Sequence, residues 1–298
     1  MGGEVWPILL CGVLVYRGSK RFYCKARLGG GRGKSEPKGD DGLSGEPEDG
    51  APRDAEAMGS EGARPGALAE ASPPADQTLF GLVADAGLKA HKRSRDGTFQ
   101  DVDMQSFLEA ALRYREALSI MGAAVKLVLG DFEKNYTLVE SIVKADPSGR
   151  GTLRAFLQAE LDSGLHRPSA PGATAKLRDP SGACQLQWLL RGLEFFFTML
   201  RLLIDGDRYP GSHAYAQTLQ QYHGWFTSLG IKAALSGMPS RDSLCSMVAL
   251  CPALENEPAR LSDAVSRDTA RAADAMLPMV QWMIATFEEK GLWERAQV

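Results

Sequence analysis

From Cys184 to Ile204 the chain is apolar on almost every side of a helix, with Leu186, Leu189, Leu190, Leu193, Phe196, Phe197 and Leu200 among its residues. A helix with one greasy stripe lies at a protein surface; one that is greasy all round must be central, or in a membrane. Arg191, Glu194 and Arg201 interrupt this one too often for a bilayer span. The segment is therefore expected to be the middle of a layered helical fold. Arg191 then becomes a buried cation in need of a partner, and Asp131, Glu194 or a ligand oxygen would serve.

The remaining sequence can supply the surrounding layers. After Ala75, apolar residues recur at three- and four-residue steps, and no run shows the period-two alternation of a strand. Helices are expected from Val102 to Leu118, capped by Asp101 or Asp103, and from Ser119 to Ala145, ended by Asp146-Pro147-Ser148-Gly149. A shorter one covers Thr152 to Leu161, and Ser163 to Gly182 is a loop rich in Pro, Gly and Ser. After the central helix come Ser212 to Ser236, a helix capped by Ser240, and Leu261 to Lys290, kinked at Pro278. The sum is an all-α domain of about seven or eight helices in packed layers.

Composition divides the chain into residues 1–27, 28–76 and 77–298. The middle stretch is Gly, Pro, Ala, Ser and alternating charge, too poor in apolar surface to offset chain entropy, and is expected to be disordered. Residues 77–298 can form one substantial core. The apolar run Val5 to Tyr16, followed by Arg17, Lys20 and Arg21, is short for a span and lacks the leading positive charge of a signal peptide. It reads as an unstructured start or as a weak membrane-surface anchor. A net charge of -3 with no basic stripe gives no case for nucleic acid. Cys11, Cys24, Cys184, Cys245 and Cys251 are odd in number and scattered, as reduced thiols of a cytosolic protein would be. No metal cluster, nucleophile motif or phosphate loop stands out, so no cofactor and no enzyme activity are expected.

A few polar groups sit in otherwise apolar stretches. Asp131 and Asn135 are one turn apart on one helix face and together can accept and donate hydrogen bonds to a hydroxylated or amide-bearing ligand; equally, they suit a solvated face. The Trp188 indole is a platform for a sugar ring or a core filler. His223, read as lying within an amphipathic helix, offers one donor and one acceptor when neutral, and Trp225 two residues on would suit a membrane interface.

The ordered set Asp131-x-x-x-Asn135, Trp188-Leu189-x-Arg191-Gly192-Leu193-x-Phe195 and Ala214-Tyr215-x-x-x-Leu219-x-x-Tyr222-His223-Gly224-Trp225 resembles the glycolipid transfer protein family. The likeness spans roughly Phe99 to Val298. It implies a two-layer all-α sandwich, acting as a monomer in the cytosol, that meets membrane surfaces transiently and carries one sphingolipid between them. It also implies roles: Asp131 and Asn135 on the headgroup, Asp131 on the ceramide amide N–H, Trp188 under the first sugar with Arg191 beside it, His223 on the amide carbonyl, and Trp225 in membrane docking. Phe132, Val139, Phe195, Phe196 and Val280 would line the tail chamber.

Departures matter. Sugar-binding members carry a lysine where this chain has Leu138; the ceramide-1-phosphate carriers have lysine and arginine where it has Asn135 and Trp188. The site residues thus favour a glycosphingolipid over ceramide-1-phosphate, although Met238-Pro239-Ser240-Arg241-Asp242 resembles the phosphate branch and Lys134 and Arg191 could face a phosphate. Two other functions fit the residues: a lipid sensor or adaptor that carries no cargo, and an enzyme using Asp131 and His223 as acid and base.

Overall fold

The computed structural model describes residues 77–119, 126–166, 176–224, 228, 231, 235 and 257–295. The expectations for residues 1–76, for the start of the second helix and for the Ser240-capped helix lie outside these. Among the described residues there are eight α-helices and one two-stranded hairpin: α1 (Leu79–Ala90), β1 (His91–Arg93), β2 (Phe99–Val102), α2 (Met104–Ser119), α3 (Lys126–Ala145), α4 (Pro147–Arg150), α5 (Leu153–Asp162), α6 (Gly182–Ile204), α7 (Pro210–Gln217) and α8 (Pro258–Glu289). The fold is an all-α sandwich built around α6, which meets α3, α7 and α8, while α1 packs on α2 and α8.

The central position of α6 follows from its sequence. Buried residues occupy all sides of it, Leu186, Leu190, Leu193, Phe197 and Leu200 being fully enclosed. Among the described residues no helix is long and apolar enough to cross a membrane. The helix starts two residues earlier than its apolar run, because the Ser181 hydroxyl accepts the Cys184 N–H at 3.1 Å and turns Gly182 from loop into first turn. Asp103, as expected, caps α2 by accepting the Ser106 N–H at 2.9 Å; Asp101 instead accepts the amides of Val102 and Arg154. Thr152 caps α5, and Asp146 both ends α3 and caps the single turn α4. Pro278 lies inside α8.

Two elements were not expected. α1 places Phe80, Val83, Ala84 and Ala90 in the core, behind a Thr78 cap. It is pinned to α8 by Asp268, 1% exposed, whose carboxylate accepts the Thr78 N–H and hydroxyl at 3.2 and 3.1 Å and pairs with Arg267 and Arg271. Gly81 permits that approach: a Cβ there would lie 2.7 Å from Asp268 Oδ2. The hairpin overturns the expectation that no strand would form. Its strands pair antiparallel, His91 with Val102 and Lys92 with Asp101, and the register shifts after Lys92. Three and four residues are too few to display an alternation.

A third difference bears on function. The expected helix from Ser212 breaks at Thr218, whose hydroxyl bonds back to the Ala214 carbonyl at 2.7 Å. A 3-10 turn over Leu219–Tyr222 follows, and His223 is extended at φ -109 and ψ 134. His223 is therefore at a helix exit and not within an amphipathic helix. There the ring stacks on Tyr215 of α7, with centroids 5.7 Å apart.

Candidate functional site

Arg191 is the hub of the site. It is only 3% exposed, on the third turn of α6, and the expected carboxylate partner is missing: neither Asp131 nor Glu194 pairs with it. Its guanidinium donates instead to the main-chain carbonyl of Glu294, beyond the end of α8. Three rings enclose it: Tyr222 at 3.8 Å, Trp188 at 4.6 Å and Trp293 at 5.5 Å. Such contacts compensate part of the cost of burying the charge. Desolvation nonetheless lowers the pKa of Arg191, and its Nε is buried without a hydrogen-bond partner. A cation held this way keeps unspent hydrogen-bonding capacity.

The residues after α8 complete the enclosure. Trp293 is buried, stacks edge-on with Tyr222 and Phe287, and donates its indole N–H to the Tyr222 hydroxyl at 3.0 Å. The Glu294 carbonyl also accepts from Gln187 at 2.7 Å, and its carboxylate accepts the Leu177 N–H at 3.2 Å. Tyr222 could be read from the motif before His223. Trp293 and Glu294 could not, since their partners on α6 are a hundred residues away in sequence and no local pattern links them.

His223 belongs to the same cluster through charge. Burial first, and then the nearby Arg191 cation, depress its pKa to about 4, so the ring is neutral at physiological pH. Its Nδ1 lies 3.0 Å from the Tyr215 hydroxyl, which lies 3.1 Å from Ser228 Oγ. When Tyr215 donates to Nδ1, Nε2 carries the ring proton; when Tyr215 donates to Ser228, Nε2 is an acceptor. Among the described residues Nε2 makes no hydrogen bond in either case.

A pH dependence follows. The unfolded state regains the ordinary His pKa of 6.5, whereas the folded value is about 4. Below pH 6.5 the unfolded chain binds a proton that the folded chain refuses, so stability is full above that pH and is lost as pH falls towards 4. At about 1.36 kcal/mol per unit the full loss is roughly 3 kcal/mol. Urea unfolding at neutral and at mildly acidic pH should show this loss in the parent and not in a His223→Gln variant; equal slopes for both would refute the assignment.

Asp131 and Asn135 lie on α3, which packs against α6. Asp131 keeps an exposed surface, yet enough protein surrounds its carboxyl to raise its pKa by desolvation, with Lys134 opposing. The Lys134 charge also reaches Cys184 in the first turn of α6, one turn before Trp188, which places this end of α3 alongside the start of the central helix. Among the described residues neither Asp131 nor Asn135 has a hydrogen-bond partner, and no ion pair or hydrogen bond joins them to Trp188, Arg191 or His223. Trp188, which the Arg191 guanidinium covers, and His223, which feels its charge, are grouped around Arg191; the α3 pair is not in contact with them. Trp225 lies outside the described residues. Phe132, Val139, Phe196 and Val280 are all in the core, with Phe195 partly buried against it. Among the described residues no group of three His, Cys, Asp or Glu could hold a metal ion. The buried Cys184 thiol is free, and burial pushes its pKa up to about 12.

Comparison with known proteins gives a consistent picture. Residues 102–250 match the glycolipid transfer protein (GLTP) family. The chain is 30% identical over 152 residues to the glycolipid transfer protein of Danio rerio, covering 48% of this chain and 68% of the relative. Identity to glycolipid transfer protein A of Xenopus laevis is 29% over 153 residues, 48% of this chain and 69% of that one. Among solved structures, one of FAPP2, which selects simple glycosphingolipids using the GLTP-fold, aligns with a TM-score of 0.61 at 20% identity, over 74% of this chain and all of that one (100%). Human ceramide-1-phosphate transfer protein in complex with 12:0 ceramide-1-phosphate aligns with a TM-score of 0.56 at 15% identity, over 72% and 98%. At these identities the structures speak to fold alone.

Proposed function

Because the chain belongs to the glycolipid transfer protein family, we propose that it takes one ceramide-based lipid from one membrane and delivers it to another, with a glycosphingolipid as the preferred cargo. The observation that carries this reading is the cluster around Arg191: a buried cation with an unused Nε, beside an imidazole whose Nε2 has no hydrogen-bond partner among the described residues. A site left unsatisfied in this way is suited to a ligand that brings its own polar atoms.

In this reading His223 Nε2–H donates to the amide carbonyl of the ceramide, and Asp131 accepts the amide N–H. Asn135 takes sugar hydroxyls, while the first sugar ring lies on the half-buried face of Trp188. The two tails enter between the helical layers, among Phe132, Val139, Phe195, Phe196 and Val280. Burying about thirty methylenes from water is worth roughly 0.8 kcal/mol each. That sum is not the affinity, because the lipid leaves a bilayer as apolar as the protein interior. Selection falls to the headgroup, where each buried hydrogen bond to a charged group contributes about 1.5–3 kcal/mol. The neutral state of His223 matters here, since its donor role asks for no proton from solvent.

A second reading, ceramide-1-phosphate transfer at the same site, is favoured by one observation: among the described residues no carboxylate forms an ion pair with Arg191, and the Glu294 charge reaches it only through space, so its guanidinium can still meet a phosphate. Native mass spectrometry on protein incubated with vesicles containing both lipids tests the two together. The sugar reading expects a hexosyl-lipid adduct in excess. A phosphate adduct in excess would reverse the preference, and absence of any adduct would leave a non-carrying lipid sensor as the better account.

A further inference from the structure

The hairpin between α1 and α2 takes no part in the headgroup site, and its chemistry is distinct. From Ala86 to Arg95 the chain carries Lys89, Lys92, Arg93 and Arg95 and not one acid. All four cations are exposed, and Leu88, next to Lys89, is 53% exposed. The carboxylates that follow are occupied within the connection itself. Asp96 accepts from Ser94 and Thr98, Asp101 from the amides of Val102 and Arg154, and Asp103 caps α2 while pairing with Lys92 at 3.5 Å. Among the described residues Lys89 and Arg95 have no carboxylate partner, and Arg93 bonds to the Gly97 carbonyl and His91.

The cations are also presented rigidly. His91 Nε2 donates to the Ala275 carbonyl on α8 at 2.8 Å, and Phe99 stacks on Trp282 of α8 with centroids 6.0 Å apart. Arg93 lies 4.0 Å over the Phe99 ring and Arg154 lies 5.4 Å from that of Trp282, so hairpin, α5 and α8 form one platform. Lys290, half-buried and bonded to Gln158 of α5, extends its positive charge.

We propose that this hairpin face is a membrane-docking surface for anionic phospholipid, separate from the headgroup site. A bilayer suits both halves of the pattern: anionic headgroups meet the cations, and the layer beneath accepts Leu88 and the partly exposed aromatic pair. A purely ionic partner would leave Leu88 unexplained. The inference rests on the lipid-carrier reading in that a carrier must meet membranes, and its test is separable from that reading.

The full chain is sedimented with phosphatidylcholine vesicles with and without phosphatidylserine. Each cation near an anionic surface contributes about fivefold in partitioning. The double variant Lys89→Gln/Arg95→Gln should bind phosphatidylserine vesicles roughly 25-fold less tightly, with no change on phosphatidylcholine, and high salt should erase the difference. Among the described residues neither side chain makes a hydrogen bond, and both are exposed, so folding is spared. Unchanged binding would overturn the proposal. So would tighter binding, which would mean that the face holds the acidic stretch Glu36 to Glu61 of the chain itself. Lipid extraction from neutral vesicles, measured in parallel, reports on the headgroup site alone. A chain that extracts no lipid yet shows the phosphatidylserine effect keeps the docking face and loses the carrier function.

Discussion

An Asp131→Val variant is expected to lose lipid transfer between vesicles by at least about tenfold while its helical circular dichroism and unfolding midpoint stay at parental values. The loss follows from chemistry at the ceramide amide. A carboxylate that accepts an amide N–H inside a desolvated site contributes about 1.5–3 kcal/mol, or roughly 10- to 150-fold. Valine matches the approximate volume and cannot accept the bond. Retention of structure follows from the absence of partners: among the described residues Asp131 makes no hydrogen bond or ion pair, so none is lost with it. Its carboxyl is even held against desolvation, which raises its pKa. A carboxyl desolvated by its surroundings, with no hydrogen-bond partner among the described residues, is suited to a ligand that brings its own donor. Undiminished transfer by the variant would remove Asp131 from the site; collapse of the helical signal would make its role structural.

The same contrast explains how much of this protein could be read without coordinates. The position of α6 was legible because its apolar surface goes all round, and only a central place satisfies that. α1 was not, since two glycines and a twelve-residue length dilute its stripe, and the α8 surface that stabilises it is 190 residues away in sequence. The break before His223 escaped because it depends on one Thr218 hydroxyl choosing the Ala214 carbonyl, a choice no periodicity records. For Arg191 the sequence identified the need and offered Asp131, Glu194 or a ligand oxygen; neither carboxylate pairs with it, and the fold supplies rings from three segments and one main-chain carbonyl. Local physics names the buried charge; only tertiary structure names what surrounds it.

That arrangement leads to the second large effect, in which stability and function should separate. An Arg191→Met variant is expected to fold with a stability within about 1–2 kcal/mol of the parent, because an apolar side chain of similar length escapes the desolvation penalty of the guanidinium. Against that gain stand one lost hydrogen bond to the Glu294 carbonyl and the cation–π contacts with Tyr222, Trp188 and Trp293, each worth about 0.5–2 kcal/mol. The terms nearly cancel. Transfer has no such compensation: the variant removes the cation that the headgroup would meet, and a fall of at least about tenfold is expected. A spectroscopic sign accompanies it. Arg191 is the second cause, after burial, of the depressed His223 pKa, so its removal should move the imidazole titration upward from about 4. Two-dimensional NMR of the His223 ring against pH reads this directly, and Arg191→Lys, which keeps the charge but not the planar fork, should leave the titration low while still impairing transfer. If Arg191→Met unfolded the chain and transfer per folded molecule were unchanged, the guanidinium would be a strut of the fold, and the unused Nε would have to be explained without a ligand.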